Sequence, residues 1–183
     1  MAAYWAIQSV WCYLTPFSVI LLNARSPSPA SFLATDGVGF ALFGFGLAFE
    51  WLADAQKSRF KQKEENKGKC MTEGVWAYSR HPNYFGELLL WTGLAIVSSG
   101  AIQGSMLLKA APFISPAFES ALILGLSGVP MSEKEQRRKY GGTERYEKYK
   151  KETPVLVPFT KPLERFFTSG GEHNDGRQGY QRQ

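Results

Sequence analysis

Two cysteines and two histidines are all that the 183 residues contain, and this scarcity removes several chemistries. Cys12 lies in an apolar stretch and Cys70 in a basic one, so no disulfide framework is indicated. The low count suits a reducing environment for the loops. The only histidines are His81 and His173, the second in a polar tail. No zinc-ligand cluster and no nucleophile–histidine–acid constellation emerges, so no metal site is expected. The glycine-rich fingerprints of dinucleotide and phosphate loops are missing too. Gly37, Gly39, Gly44 and Gly46 sit inside an apolar span and read as packing contacts.

Charge is confined to two blocks. Residues 55–80 hold seven Lys/Arg against three Glu, and residues 131–152 hold eight against five. Between and before them the chain is nearly uncharged, so a mean hydropathy of −0.21 averages two different materials. A net charge of +5 raises the question of nucleic acid. Here the basic blocks flank apolar spans, which the cytoplasmic face of a membrane explains better, so no nucleic-acid partner is expected.

Four apolar segments stand out: about Ala3–Leu22, with no charge; Val38–Ala53, with Glu50 and Asp54 at its end; Tyr84–Met106, with Glu87; and Pro112–Val129, with Glu119 and Pro116. Runs of roughly 17–25 apolar residues can cross a bilayer as helices. The first is too long and too aromatic for a cleaved leader and lacks a basic region ahead of it. The expectation is an all-α, multi-pass membrane bundle of about four transmembrane helices, occupying residues 1–167. The connectors Asn23–Asp36, with its Ser-Pro-Ser-Pro run, and Gln103–Ala111 fall on one side. The basic segments and both termini fall on the cytoplasmic side. Beyond Pro130 the chain is charged and helix-prone, broken at Gly141-Gly142, with Tyr140, Tyr146 and Tyr149 near helical spacing. This predicts an amphipathic cytoplasmic helix on the membrane surface or folded over a site. Val155–Phe159 reads as a short apolar strand or anchor, and 168–183 as a disordered tail.

Three stretches could carry chemistry. Glu50 and Asp54 share one helical face, and Lys57 and Lys61 follow on the same stripe. Carboxylates accept hydrogen bonds from sugar or amide groups, and lysines meet phosphates as point charges. The alternative is an intrahelical salt-bridge ladder. In Ser79–Glu87, Pro82 suits a first helical position, so a helix starts near His81–Asn83. Its N-terminus, with Arg80 and His81, would attract anions. Asn83 and Glu87 face one side, and an ionisable group inside an apolar span points to function. Finally, Arg137, Arg138, Lys139 and Tyr140 suit either closure over a phosphate or attraction to anionic lipid. These groups suggest a polar ligand bearing phosphate and hydroxyl groups, at a membrane from which a lipophilic substrate is reached.

These residues resemble the DUF1295 membrane proteins, relatives of the steroid 5-alpha-reductases. The resemblance runs from Gly44-Phe45-Gly46 through Glu50-Trp51-Leu52-Ala53-Asp54-Ala55-Gln56-Lys57 and Phe60-Lys61. It continues in Gly74–Glu87, Ser127-Gly128-Val129-Pro130, Tyr146, Tyr149 and Pro158. It implies a helical enzyme of the endoplasmic reticulum that passes a hydride from NADPH to a carbon–carbon double bond of a sterol- or lipid-like substrate. It places Glu50, Asp54, Lys61, Asn83 and Glu87 around the nicotinamide nucleotide. Lys57, Arg80, His81 and Tyr84 complete the expected cofactor set, and Tyr78 and Tyr84 are the candidate proton donors. Glu50 departs from the reductases, which carry an amide there. Arg80-His81-Pro82, Tyr84 and Gly86 are also similar to isoprenylcysteine carboxyl methyltransferases. That likeness implies S-adenosylmethionine instead, with Arg80 and His81 at its carboxylate and Tyr84 packed on it. Members of the family carry further helices ahead of the point matching Ala3, including groups that polarise the substrate. The resemblance therefore also admits a truncated, non-catalytic relative.

Overall fold

The computed structural model describes residues 2–24 and 32–160, and every regular element among them is helical, with no strand. The expected disordered tail at 168–183, His173 and the middle of the Ser-Pro loop lie outside the described residues.

The first apolar stretch is not one helix but two, α1 (Ala2–Leu14) and α2 (Phe17–Ala24). Pro16 is the reason: it has no N–H to continue the ladder. Polar groups from elsewhere meet the break. Ser115 donates its hydroxyl to the Thr15 carbonyl, and Ser98 Oγ donates to the Ser18 carbonyl at 2.6 Å. The Thr15 hydroxyl donates to Glu119, which is only 3 % exposed. Glu119 is thus a structural acceptor at a broken helix.

α3 (Ala34–Gln62) runs 29 residues without a proline, about 44 Å at 1.5 Å per residue. It exceeds the expected Val38–Ala53 span at both ends. Its last turns carry Lys57 and Lys61 clear of the apolar part. At the start, the Asp36 carboxylate accepts the Leu33 N–H at 2.9 Å.

α4 (Pro82–Ala101) begins where the proline predicts and packs antiparallel along α3. The seam is glycine. A Cβ on Gly46 would sit 2.5 Å from the Gly86 carbonyl oxygen, and one on Gly93 2.5 Å from that of Gly39. Each pair is seven residues from the next on both helices. On α3 the series continues as Gly39, Gly46, Ala53 and Phe60, which are its buried residues. Small residues at such a repeat let two backbones touch. Of the four glycines expected to pack, Gly44 has open space instead.

The fourth segment is longer than expected. α5 (Met106–Ala110), a tight turn at Ala111–Phe113, α6 (Ile114–Ala121), a π-turn at Leu122–Leu126 and α7 (Val129–Tyr140) follow one another nearly without interruption. The Gln103–Ala111 connector is therefore partly helix. Gly141 and Gly142, the second with φ +81°, separate α7 from α8 (Glu144–Glu152). The charged C-terminal part is two helices, parted at the expected Gly141-Gly142 break. Val155–Phe159 is irregular, not a strand. Two helical runs, Ala34–Gln62 and Met106–Tyr140, are long and apolar enough to cross a membrane.

Candidate functional site

The run before α4 is held from three directions. Trp76 Nε1 donates to the Ala53 carbonyl of α3 at 2.9 Å, and Gln56 Oε1 accepts the Val75 N–H at 2.9 Å. Gly74 has φ +61°, a backbone conformation glycine adopts without strain, and a Cβ there would press on the Gln56 amide that holds Val75. From the C-terminal side, Tyr149 donates its hydroxyl to the Trp76 carbonyl at 2.7 Å. Arg80 N–H donates to the Pro154 carbonyl at 2.9 Å, and Ser79 Oγ donates to that of Leu156 at 2.7 Å. Tyr146 and Tyr149 of α8 are buried against Cys70 with Tyr140. They fold over the loop rather than onto a membrane surface. Burial pushes the Tyr149 phenol above its ordinary pKa and the Cys70 thiol up to about 11, so both stay protonated at neutral pH.

Arg80 and His81 do not line an open mouth. They are 5 % and 1 % exposed, and both face Glu133 of α7. Arg80 Nη1 donates to Glu133 Oε2 at 2.9 Å, and His81 Nε2 lies 3.0 Å from Oε1. A buried guanidinium needs an anion, and Glu133 supplies it while also meeting the His81 ring. Their role in the structure is to fasten α7 to the start of α4. Glu133 was missed in the sequence because it looks like one more charge in a solvated helix. Its one signal was the need of Arg80 and His81 for a partner.

The remaining predicted residues divide along α3. Near the apolar part, the Gly46–Gly86 contact sets Glu50 beside α4: a Cβ on Gly86 would lie 2.7 Å from the Glu50 N and 2.9 Å from its Cβ. Glu87 is the next residue and is half-buried. Asn83 is half-buried one turn ahead of it. Tyr84 stacks on His81, ring centroids 5.4 Å apart and 13° from parallel. Further along, Lys57 lies over Trp76, its ammonium 4.3 Å from the ring centroid. Lys57 and Lys61 line a cavity of about 130 Å³ with Lys69, Trp76, Lys139 and Tyr140. Tyr78 is half exposed and packs its ring on Phe159 at 4.7 Å. It belongs to neither group. The structure thus offers a carboxylate-lined contact between α3 and α4 and, one to two turns on, a lysine-lined cavity. Among the described residues no group of three His, Cys, Asp or Glu is arranged to hold a metal ion.

Helices apolar enough for a membrane, joined to a buried polar junction, define an all-helical protein whose ionisable groups sit inside apolar elements. Residues 1–153 match the family described as "Protein of unknown function (DUF1295)", and the chain belongs to that family. A curated relative is the probable O-methyltransferase ustE of Ustilaginoidea virens, 40% identical over 73 residues. The match covers 40% of this chain and 25% of the relative, so the chain spans about a quarter of the length of the curated protein it matches. No solved structure matches.

Proposed function

We propose that this protein is a membrane enzyme that binds a nicotinamide nucleotide along α3 and α4 and reduces a carbon–carbon double bond of a lipophilic substrate. The carrying observation is the close approach of α3 and α4 at Gly46 and Gly86, which brings the backbone of Glu50 against Gly86, the residue next to Glu87, within largely apolar stretches of both helices. Carboxylates placed at that cost are kept for a ligand. The donor set fits NADPH: Glu50, Asp54 and Glu87 accept hydrogen bonds from ribose hydroxyls or the carboxamide, Asn83 supplements them, and Lys57 and Lys61 face phosphates. When bound, the cofactor supplies a hydride. Tyr84, braced by His81, is the phenol nearest this contact and the candidate to orient a substrate carbonyl. Arg80 and His81 serve the site by holding it, through Glu133.

The outward face of α3, with Val38, Phe40, Phe45, Leu47 and Trp51 exposed, supports a lipid setting. In this reading α1–α2, α3, α4 and the apolar part of Met106–Tyr140 cross the bilayer. The basic ends and both termini face the cytoplasm, and the endoplasmic reticulum is the membrane.

A second reading is favoured by the relative's name: methyl transfer from S-adenosylmethionine. Its sulfonium would suit the carboxylates, but its lack of phosphate leaves the lysines without a role. Calorimetry on the full chain in nanodiscs separates the two. Saturable NADPH binding, weakened at least tenfold by Glu87→Gln and about as much by Asn83→Ala, is expected. Binding of S-adenosylmethionine alone would replace the first reading with the second. Binding of neither would leave a non-catalytic relative.

A further inference from the structure

Three elements converge beyond the carboxylates. α3 contributes Lys57 and Lys61 from its last turns, the segment after α3 contributes Lys69, and α7 contributes Lys139. The cavity they share is walled by Trp76 and Tyr140. Its lining holds one carboxylate, Glu135, already engaged by Arg138 at 2.8 Å and Lys139 at 3.0 Å. Among the described residues Lys57, Lys61 and Lys69 make no ion pair. Several ammonium groups around one void repel each other and focus a positive potential into it, an arrangement that an anion relieves.

Size narrows the anion. At about 130 Å³ the cavity is well below the roughly 300–1,000 Å³ of sites that enclose a whole drug-sized ligand. It takes a group. Lysine ammoniums meet phosphate oxygens as point charges from several directions. Ser132 and Gln136 on the α7 wall add neutral hydrogen-bonding groups.

We propose that this cavity is a phosphate seat, with Lys69 and Lys139 as its previously unassigned members. It binds phosphate or diphosphate whether that group belongs to a nucleotide, to a phospholipid headgroup or to a free ion. The seat goes beyond the reductase reading and does not depend on which group the enzyme transfers.

The test uses the full chain in phosphatidylcholine nanodiscs, titrated with inorganic pyrophosphate by calorimetry. Three proteins are compared: wild type, Lys69→Gln/Lys139→Gln, and the control Lys63→Gln/Lys67→Gln. The control removes the same charge from exposed lysines that pair with Glu65 and Glu64. Wild type and control are expected to bind pyrophosphate, and the cavity variant to lose at least tenfold. Competition then names the source. Displacement by NADPH identifies a nucleotide, weakening in nanodiscs containing phosphatidylinositol 4-phosphate identifies a lipid, and neither effect identifies a free anion. Each of the three supports the seat. Absence of pyrophosphate binding by wild type, or equal loss in both variants, overturns it. NADPH binding without pyrophosphate binding removes the seat and leaves the reductase reading. Pyrophosphate binding without NADPH binding does the reverse.

Discussion

Glu133 shows how a single side chain organises the junction. It pairs with the Arg80 guanidinium and hydrogen-bonds the His81 ring, side chains that are otherwise sealed from water. A buried pair adds little net stability compared with an apolar replacement, but breaking it strands a charge, at about 3–5 kcal/mol. Glu133→Ala is therefore expected to destabilise the fold by about that amount and to release α7 from the head of α4. Denaturant titration of the purified protein checks it. Glu135→Ala, three-residue neighbour pairs on an exposed surface being weak, should change little. Comparable stability of Glu133→Ala and wild type would mean that Arg80 and His81 find other partners. The sequence showed the two basic residues clearly and gave them to a ligand. It could not show that the protein's own anion arrives from 52 positions away.

The unit that matters at the next scale is the α3–α4 pair. Its heptad of small residues fixes both the distance and the register of the helices, and so places Glu50 beside Gly86, the residue before Glu87. A methyl group at Gly46 meets backbone, which cannot rotate away. Gly46→Ala is expected to cost about 1–3 kcal/mol, as overpacking does, and to weaken cofactor binding with it. Gly44→Ala meets nothing within 4 Å and should gain about 0.5–1 kcal/mol from helix propensity. Thermal unfolding of the two variants checks both signs. Equal effects would show that the helices are not in contact along this seam. The glycines were legible as packing residues, but Gly39 and Gly46, which meet α4, look like Gly37 and Gly44, which do not. Only the partner's Gly86 and Gly93 distinguish them.

Across the whole molecule, ionisable groups are sorted by distance along α3: carboxylates beside α4, then lysines beside α7. The proposed four crossings would put residues 63–69 and 141–143 on one side and 103–105 on the other. Membrane-impermeant labelling of single cysteines introduced at Lys67, Gly142 and Ser105 in oriented vesicles is expected to modify the first two together and the third only from the opposite face. Modification of all three from one side would remove the four-span topology. It would leave the cofactor test unaffected, since that depends on α3 and α4 alone.

Composition and hydropathy by themselves determined that the chain is helical and apolar in blocks, and they singled out the 50–61 stripe and the Ser79–Glu87 run as its candidate polar groups. Those properties follow from local periodicity and residue type, which a linear reading captures. Tertiary structure alone decided the rest. Pro16 ends the first helix locally, but only the fold brings Ser98 of α4 and Ser115 of α6 to the carbonyls beside the break. Arg80 and His81 turn inward, because Glu133 of α7 meets both of them there. Lys69 and Lys139 join Lys57 and Lys61, because α7 folds back over the end of α3. Each of these depends on a contact between residues far apart in the chain, and pairing at that distance leaves no period for the sequence to display.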